Sequence, residues 1–298
     1  MRPKATIRKF ALSKYIYVLV FLTGAIAFFY PLISSLINYQ AQTRVISNYR
    51  EEVASFDETT LEGFMNDGQL YNQFIASLEG NVTDEITERE RSNTNVVYMR
   101  VLSTGEAIGN LRIPKLDVEL PIYRGTSDDV LNMGVGHLER SSLPIGGEST
   151  HSVLMAHRGL PSSRLFRDLN LMKEGDVFFI DSLGMTLAYE VESIRVVLPT
   201  EVESLQIREG RDLCTLITCD PYMINSHRLL VTGHRIEYKE ELEDIVPQGH
   251  INFFQKYYEY FAIVGFFTLL WFMILLIRRR LRRKRAEEDE EYWEPIDG

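Results

Sequence analysis

Cysteine is scarce in this 298-residue chain, which contains only Cys214 and Cys219. Both lie in one apolar run, LCTLITC, and in a β-strand they would be about 16 Å apart and on opposite faces. A disulfide needs Cα atoms within about 7 Å of each other, so we expect both thiols to be free. A disulfide-stapled scaffold is thereby excluded, and two free thiols need another explanation.

Several signatures of bound ligands are missing as well. No spacing of Cys and His residues fits a structural zinc site, and no glycine-rich phosphate loop or dinucleotide fingerprint occurs. Internal repeats and low-complexity segments are also absent. The sequence therefore predicts no metal ion and no cofactor.

Basic charge is not in excess, since the formal net charge is -10. Lys and Arg residues are concentrated near the two ends, so the region between them is more acidic still. An acidic domain argues against nucleic acid as a partner. We interpret the acidic tail after Arg285 as a solvated end of the chain.

Two long uncharged runs predict membrane spans, from about Tyr15 to Ile37 and from about Tyr260 to Ile277. Each approaches or exceeds the roughly 20 apolar residues that a bilayer crossing needs. Basic residues precede the first run and follow the second, which predicts that both ends are cytoplasmic and the region between them external. Ala25-Ile26-Ala27 leaves open a cleaved signal peptide, although Pro31 and the continuing apolar run favour an uncleaved helix.

The first part of the external region has a helical pattern. Residues 41–93 contain no proline and carry apolar side chains at helical spacing. They predict two or three helices, with breaks near Asp67-Gly68 and Gly80-Asn81.

From Ala107 the pattern changes to short apolar runs separated by Gly, Pro, Asn and Asp, which is typical of a compact β-barrel or sandwich. The predicted strands are AIGNLRI, ELPIYRG, SVLMAH, DVFFI, MTLAYEVESIRVVLP, LCTLITC and HRLLVTGHRIEY. Short helices inserted between them are predicted for TSDDVLNMG and SRLFRDLNLM.

Cys219 is a candidate nucleophile. It ends its apolar run and is followed by Asp220-Pro221. Because proline cannot donate to a sheet ladder, the strand should end there and leave the thiol at a strand end, where a groove can form. The alternative is a small buried side chain, which is the state of most free cysteines.

Arg228 and one of six histidines are candidate partners of this thiol. Arg228 begins the strand after the loop DPYMINS, and in an antiparallel hairpin its guanidinium would lie near Cys219. A cation there stabilises a thiolate or an oxyanion, although a surface arginine is an equally simple interpretation. A thiol nucleophile usually works with an imidazole, and His157 is slightly favoured because it ends the run SVLMA.

Together these residues resemble the sortase family. TLITC, which ends at Cys219, followed nine residues later by Arg228, is similar to the sortase signature TLxTC with its downstream arginine. THSVLMAHRGLPSSRLFRDL resembles the sortase histidine segment and places the family's catalytic histidine on His157. The resemblance covers roughly residues 107–238.

The resemblance implies a mainly β fold: an eight-stranded sortase-type β-barrel with short inserted helices, preceded by an α-helical N-terminal segment and flanked by two transmembrane helices. It implies that Cys219 attacks the Thr–Gly bond of an LPxTG-like sorting signal and forms a thioacyl intermediate. His157 would act as acid and base, and Arg228 would hold the substrate and steady the oxyanion. Thr218 and Leu216 are expected to contribute to substrate binding.

A helical segment before the barrel and a second span after it resemble class C, the pilus-assembling sortases, in which a pilin lysine resolves the intermediate. The implied partners are the membrane and pilin or surface-protein substrates with C-terminal sorting signals, and not nucleic acid. Two alternatives stay open. One is a housekeeping-like sortase that anchors surface proteins to the cell-wall precursor, and the other is a non-catalytic membrane-anchored binding scaffold.

One departure from class C concerns the lid that commonly covers the active site, which is anchored by an aspartate, a proline and an aromatic residue. No proline occurs between Pro31 and Pro114, so this motif is absent where it is expected. We predict a groove that is open or gated in another way.

The predicted location is the cell membrane, with two spans, an extracellular catalytic domain and both termini cytoplasmic. The predicted segments are a cytoplasmic N-terminus (1–14), a first span (15–37), an extracellular helical segment (38–105), the catalytic barrel (106–240), a juxtamembrane linker (241–256), a second span (257–277) and a cytoplasmic tail (278–298).

Overall fold

The computed structural model describes residues 5–79, 98, 105–160, 163–201, 203–246, 263–274 and 279–280. The chain divides into two compact units, Met1–Gly249 and His250–Gly298, and in the second the described residues 263–274 are helical. Over the described ranges, none of the helices combines the length and the apolar character that a bilayer crossing requires. The two spans stay predictions, and part of the second lies outside the described residues.

Two helices precede the barrel: α1 (Ala5–Ser55) and α2 (Glu58–Glu79). They are separated at Asp57, whose carboxylate accepts a hydrogen bond from the backbone N–H of Thr60 at 3.0 Å. An acidic side chain that satisfies a free N–H in this way starts a new helix. Tyr71 and Ile75 of α2 are 1% exposed and belong to the barrel core, so α2 is part of the domain.

The predicted break at Asp67-Gly68 is wrong, because α2 continues through it. A Cβ atom at Gly68 would lie 2.6 Å from Cδ1 of Ile145, which is closer than side chains pack. The glycine therefore lets the helix approach the loop that carries Ile145 and does not end the helix. The second predicted break, at Gly80-Asn81, lies outside the described residues.

Eight strands form a closed barrel, as the family resemblance implied, in the order β1-β2-β3-β4-β7-β8-β6-β5. The strands are β1 (Gly109–Ile113), β2 (Val118–Arg124), β3 (Val135–His137), β4 (Thr150–Met155), β5 (Val177–Ser182), β6 (Met185–Val197), β7 (Asp212–Asp220) and β8 (His227–Ile236). Neighbouring strands are antiparallel except for β2 with β3 and β4 with β7, which are parallel. This second parallel pair determines where the candidate active site lies.

The barrel interior is a packed core. Leu111, Ile122, Leu154, Leu216 and Val231 come from five different strands, and each is fully buried in the same cluster. Burying a side chain of this size stabilises the fold by about 1.5–3 kcal/mol relative to exposure.

Short helices connect the strands, in part as predicted. TSDDVLNMG contains helix α3 (Asp128–Met133), which starts where the hydroxyl of Ser127 accepts a hydrogen bond from the N–H of Val130. SRLFRDLNLM forms turns and a single 3₁₀ turn at Leu169–Leu171 instead of an α-helix.

A short helix, α4 (Glu240–Ile245), follows β8 and is fixed to the barrel by an arginine. The guanidinium of Arg112 lies between the carboxylates of Asp181 and Glu243, with hydrogen bonds of 2.9 Å to each. This guanidinium lowers the pKa of Glu243. The pairing connects β1, β5 and α4 on a side of the barrel that is not adjacent to β4 or β7.

Candidate active site

The candidate site lies where the parallel strands β4 and β7 end at one rim of the barrel. Their ladder runs from Thr150–Asp212 to Met155–Ile217. Beyond it, the N–H of Ala156 donates to the carbonyl of Ile217 at 3.2 Å, and the hydroxyl of Thr218 donates to the carbonyl of Ala156 at 2.8 Å. The two segments of the chain therefore stay side by side beyond the ladder.

This arrangement brings His157 and Cys219 to the same rim. Each follows the last ladder pair by two residues, so a continued register places them level with each other. Both are partly exposed, in contrast to the buried residues that precede them. The N–H of Phe166 donates to the carbonyl of His157 at 3.1 Å, which anchors the loop that follows the histidine.

Arg228 reaches the same rim from the other side. Strands β7 and β8 pair as the predicted antiparallel hairpin, and Cys219 is directly opposite Arg228. One guanidinium nitrogen of Arg228 donates to the carbonyls of Asn225 and His227 at 3.1 and 3.0 Å. The three predicted catalytic residues thus lie on three adjacent strand ends, with Cys219 in the middle.

Two further histidines of the barrel strands, His137 and His151, are structural. His137 is fully buried and contacts the hydroxyl of Tyr98 at 2.8 Å and the carbonyl of Ser142 at 2.9 Å. Burial lowers the pKa of His137 to about 4. His151 contacts the carbonyl of Gln206 and the hydroxyl of Thr215, and burial lowers its pKa as well.

Thr218 and Leu216, the predicted substrate-binding residues, lie in the barrel wall and interior. Leu216 is 0% exposed within the core cluster, and Thr218 is 2% exposed with its hydroxyl bound to the carbonyl of Ala156. Neither side chain is presented to a ligand in this structure, and their role in substrate binding stays a prediction.

The outer face of β7, on which Cys219 lies, offers other candidates for contact with a substrate. Side chains alternate along a strand, so Ile217 shares the face of Cys219, whereas Leu216 and Thr218 both lie on the opposite face. Ile217 packs with Val153 and Leu230 in a small apolar cluster, together with partly buried side chains that include Leu205 and Val197. The period of two along a strand would have identified Ile217 from the sequence, because it lies two residues before Cys219.

Arg158 is a site residue that the sequence analysis missed. Its guanidinium is 8% exposed and pairs with the carboxylate of Asp220, next to Cys219. Nothing in the local sequence marks this arginine as buried, because its partner is 62 positions away.

Within the described parts of the chain, no group of three or more His, Cys, Asp and Glu side chains is arranged to hold an ion. The segment between α2 and β1, to which the prediction about the lid applies, lies mostly outside the described residues.

Comparison with known proteins now assigns the family. The Sortase domain model matches residues 111–236. Sortase D of Bacillus subtilis (strain 168) is 30% identical over 136 residues, 45% of this chain and 66% of that protein. Sortase A of Staphylococcus aureus (strain NCTC 8325 / PS 47) is 31% identical over 170 residues, 56% of this chain and 80% of that protein. The chain thus spans just under two thirds of sortase D.

Solved structures match over more of the chain. Sortase C1 of GBS Pilus Island 1 is 42% identical, with a TM-score of 0.60 over 67% of this chain and 94% of that one. Sortase C of Clostridium perfringens, solved with the C-terminal cell wall sorting motif, is 39% identical, with a TM-score of 0.56 over 66% of this chain and 100% of that one. The fold is that of the sortases, and both of these solved structures are class C sortases. The chain belongs to the sortase family.

Proposed function

We propose that this protein is a cysteine transpeptidase that cleaves an LPxTG-like sorting signal between Thr and Gly and transfers the acyl group to a pilin lysine. The observation that carries the proposal is the meeting of His157, Cys219 and Arg228 at one barrel rim. The 42% identity to a sortase C1 of a pilus island supports the pilin class, and a relative solved with a sorting motif supports the substrate class.

In the proposed first step, the thiolate of Cys219 attacks the threonyl carbonyl carbon, and the carbonyl oxygen becomes an oxyanion. Arg228 is directly opposite Cys219 in the hairpin, and in the proposed step its guanidinium stabilises that charge. His157, as the imidazolium, donates its proton to the departing glycine amine. A thioester between Cys219 and the threonine remains.

In the second step, the lysine amine attacks the thioester. His157, now neutral, accepts a proton from the amine, and Cys219 leaves as the thiolate that began the cycle. The product is an isopeptide bond between two pilins. The buried cluster of Val153, Ile217 and Leu230 lies on the Cys219 face of the barrel, and the partly buried side chains packed on it, which include Val197 and Leu205, provide a surface for apolar residues of the sorting signal.

A housekeeping-like anchoring function is the second candidate. The observation in its favour is the 31% identity to sortase A of Staphylococcus aureus over 80% of that protein. The difference between the two functions lies in the amine: a pilin lysine in one, and the cell-wall precursor in the other.

The test is an immunoblot of cell-wall extracts from cells with the wild-type chain and with Cys219→Ala. We expect a detergent-resistant ladder of high-mass surface protein in the wild type and none in the variant. If the ladder persists in the variant while a surface protein is released into the medium, the anchoring function is correct. If neither changes, the transpeptidase proposal is wrong and the scaffold alternative gains support.

A further inference from the structure

The two strand ends that carry His157 and Cys219 extend past the hydrogen-bonded ladder. The last ladder pair of β4 and β7 is Met155 with Ile217. Among the described residues, the bonds of Ala156 to Ile217 and of Thr218 to Ala156 continue the contact beyond the ladder, and neither involves His157 or Cys219. A further contact across the two strand ends would fix the separation of these two residues.

Arg158 connects the two strand ends at this point. It follows His157 directly, and one of its terminal nitrogens donates to the carbonyl of Cys219 at 3.4 Å and to the carboxylate of Asp220. Its Nε donates to the carbonyl of Arg167 at 3.2 Å, which holds the loop after β4 in the same assembly. One guanidinium thus bonds to the backbone of the nucleophile, to the residue after it and to the histidine loop.

Burial makes this connection rigid. The side chain of Arg158 is 8% exposed and that of Asp220 is 22% exposed. Hydrogen bonds between charged groups are stronger than those between neutral groups, and the planar guanidinium fixes the direction of each bond. A buried charge that lost its partner would be strongly unfavourable, so the pair resists separation.

We propose that Arg158 is a positioning residue that, through Asp220 and the carbonyl of Cys219, holds His157 at the correct distance from the thiol of Cys219. The inference rests on the proposed transpeptidase function, because it assigns Arg158 a part in the proton transfer between His157 and the substrate. Arg158 touches no reacting atom. A misplacement of about 1 Å in such a constellation lowers the rate roughly 100-fold.

A second contact connects the loop after β4 with the loop after β7, nearer to the solvent. The guanidinium of Arg167 donates to the hydroxyl of Tyr222 at 2.9 Å and lies 5.5 Å from the centre of its ring. Tyr222 is 37% exposed, so this contact is weaker than the buried one. It predicts that Arg167→Gln has a smaller effect, a few-fold on the rate, than Arg158→Gln.

The test uses the full chain in detergent and measures single-turnover formation of the thioester with an LPxTG peptide by mass spectrometry. Arg158→Gln and Asp220→Asn should each lower the limiting rate about 100-fold, with the half-saturating peptide concentration changed less than about threefold. The double variant should be no more than about threefold slower than either single variant, because both remove one connection. Arg112→Gln, which removes a partly buried arginine pair on β1, is the matched control and should keep the wild-type rate.

A variant that lacks His157 distinguishes a positioning role of Arg158 from a general loss of structure at the site. In His157→Ala protein the residual rate should change less than about threefold when Arg158→Gln is added, because there is no imidazole left to position. If Arg158→Gln does not fold, Arg158→Lys replaces it, since an ammonium can still reach Asp220 but cannot make all three bonds. We expect Arg158→Lys to lower the limiting rate about 10-fold, and only in protein that retains His157.

Three results would overturn the inference: a wild-type rate in folded Arg158→Gln, an equal loss with and without His157, or a loss confined to peptide affinity. A wild-type chain that forms no thioester is a different result. It would refute the proposed function itself, which these three results leave intact.

Discussion

The two cysteines of β7 are five residues apart in one strand and have opposite environments. Cys214 is in the middle of the strand, 0% exposed, and burial raises the pKa of its thiol well above the usual value. Cys219 is near the strand end, partly exposed, with Arg228 opposite it. The thiolate is the reactive form of cysteine, so the same side chain is inert at the first position and available for chemistry at the second.

The comparison extends to the residues around each cysteine. In the middle of β7, Thr215 takes part in a closed set of hydrogen bonds with His151 and Thr232, which fixes the wall of the barrel. At the rim, His157, Cys219 and Arg228 are all partly exposed. Under the proposed function, the middle of the strand provides stability and the rim provides the chemistry, so mutations in the two places should have separable effects.

The largest predicted effect separates the two cysteines directly. Cys219→Ala should lower the rate of peptide cleavage by more than about 10⁴-fold, as expected for loss of a nucleophile. Cys214→Ala should keep the rate within about threefold and lower the free energy of unfolding by about 1 kcal/mol, because it leaves a small cavity. Cleavage assays and urea unfolding of both variants provide the check. Comparable rate losses would show that position along β7 does not determine the role.

The next effect concerns Arg228. Arg228→Ala should lower the limiting rate about 100- to 1,000-fold with little change in stability, because a donor for the oxyanion is lost. Arg195, which is exposed on the adjacent strand β6, is the matched control, and Arg195→Ala should be neutral. Steady-state kinetics on both variants tests this. An unchanged rate in Arg228→Ala would leave the oxyanion without its proposed partner.

Acid should weaken the middle of the barrel. The pKa of His137 is lowered by burial from its usual value near 6.5 to about 4, so the unfolded chain binds a proton between these values that the folded chain does not. The contribution of His137 is therefore fully present above pH 6.5 and is lost as the pH falls towards 4, by about 3 kcal/mol in total. Urea unfolding at pH 7.5, 5.5 and 4.5 measures it.

The matched variant for the acid effect is His137→Gln, which cannot titrate. It should be less stable than the wild type at neutral pH, because bonds to Tyr98 and Ser142 are altered, but its stability should fall less steeply with acid. If the free energy of unfolding falls equally steeply with acid in both proteins, His137 is not the cause of the acid effect.

The smallest effect is expected at Thr215. Thr215→Val keeps the shape of the side chain and removes the hydroxyl that contacts His151 and Thr232. We expect a loss of about 1–2 kcal/mol in unfolding free energy, since buried partners are left without a bond, and no change in the cleavage rate. Thermal unfolding and a cleavage assay check it, and a change in rate would mean that the middle of β7 also affects the chemistry.

Much of the fold followed from local pattern. Strands such as β7 are bounded by charged and turn residues, and Pro221 marks the end of β7 that the structure shows. Strand β3 was missed because its three residues, Val135–His137, are too few to show a period of two. The predicted break at Gly68 failed because the sequence does not show that Ile145 packs against that position.

The candidate site was predicted where the chemistry depends on strand ends, and missed where it depends on distant partners. Cys219 and Arg228 follow from a short hairpin, which a sequence shows well. Strands β4 and β7 pair in parallel although they are more than 60 positions apart in the sequence, and no local pattern reveals such a pairing. Arg158 depends on that pairing and therefore could not be identified as buried.

The most direct test of the central claim is intact-mass spectrometry of the purified protein after incubation with an LPxTG peptide, followed by peptide mapping. We predict one added mass equal to the acyl fragment that ends in threonine, located on Cys219, absent from Cys214 and removed by hydroxylamine. An adduct on another residue, or no adduct while the peptide is cleaved, would contradict a thioacyl mechanism at this rim.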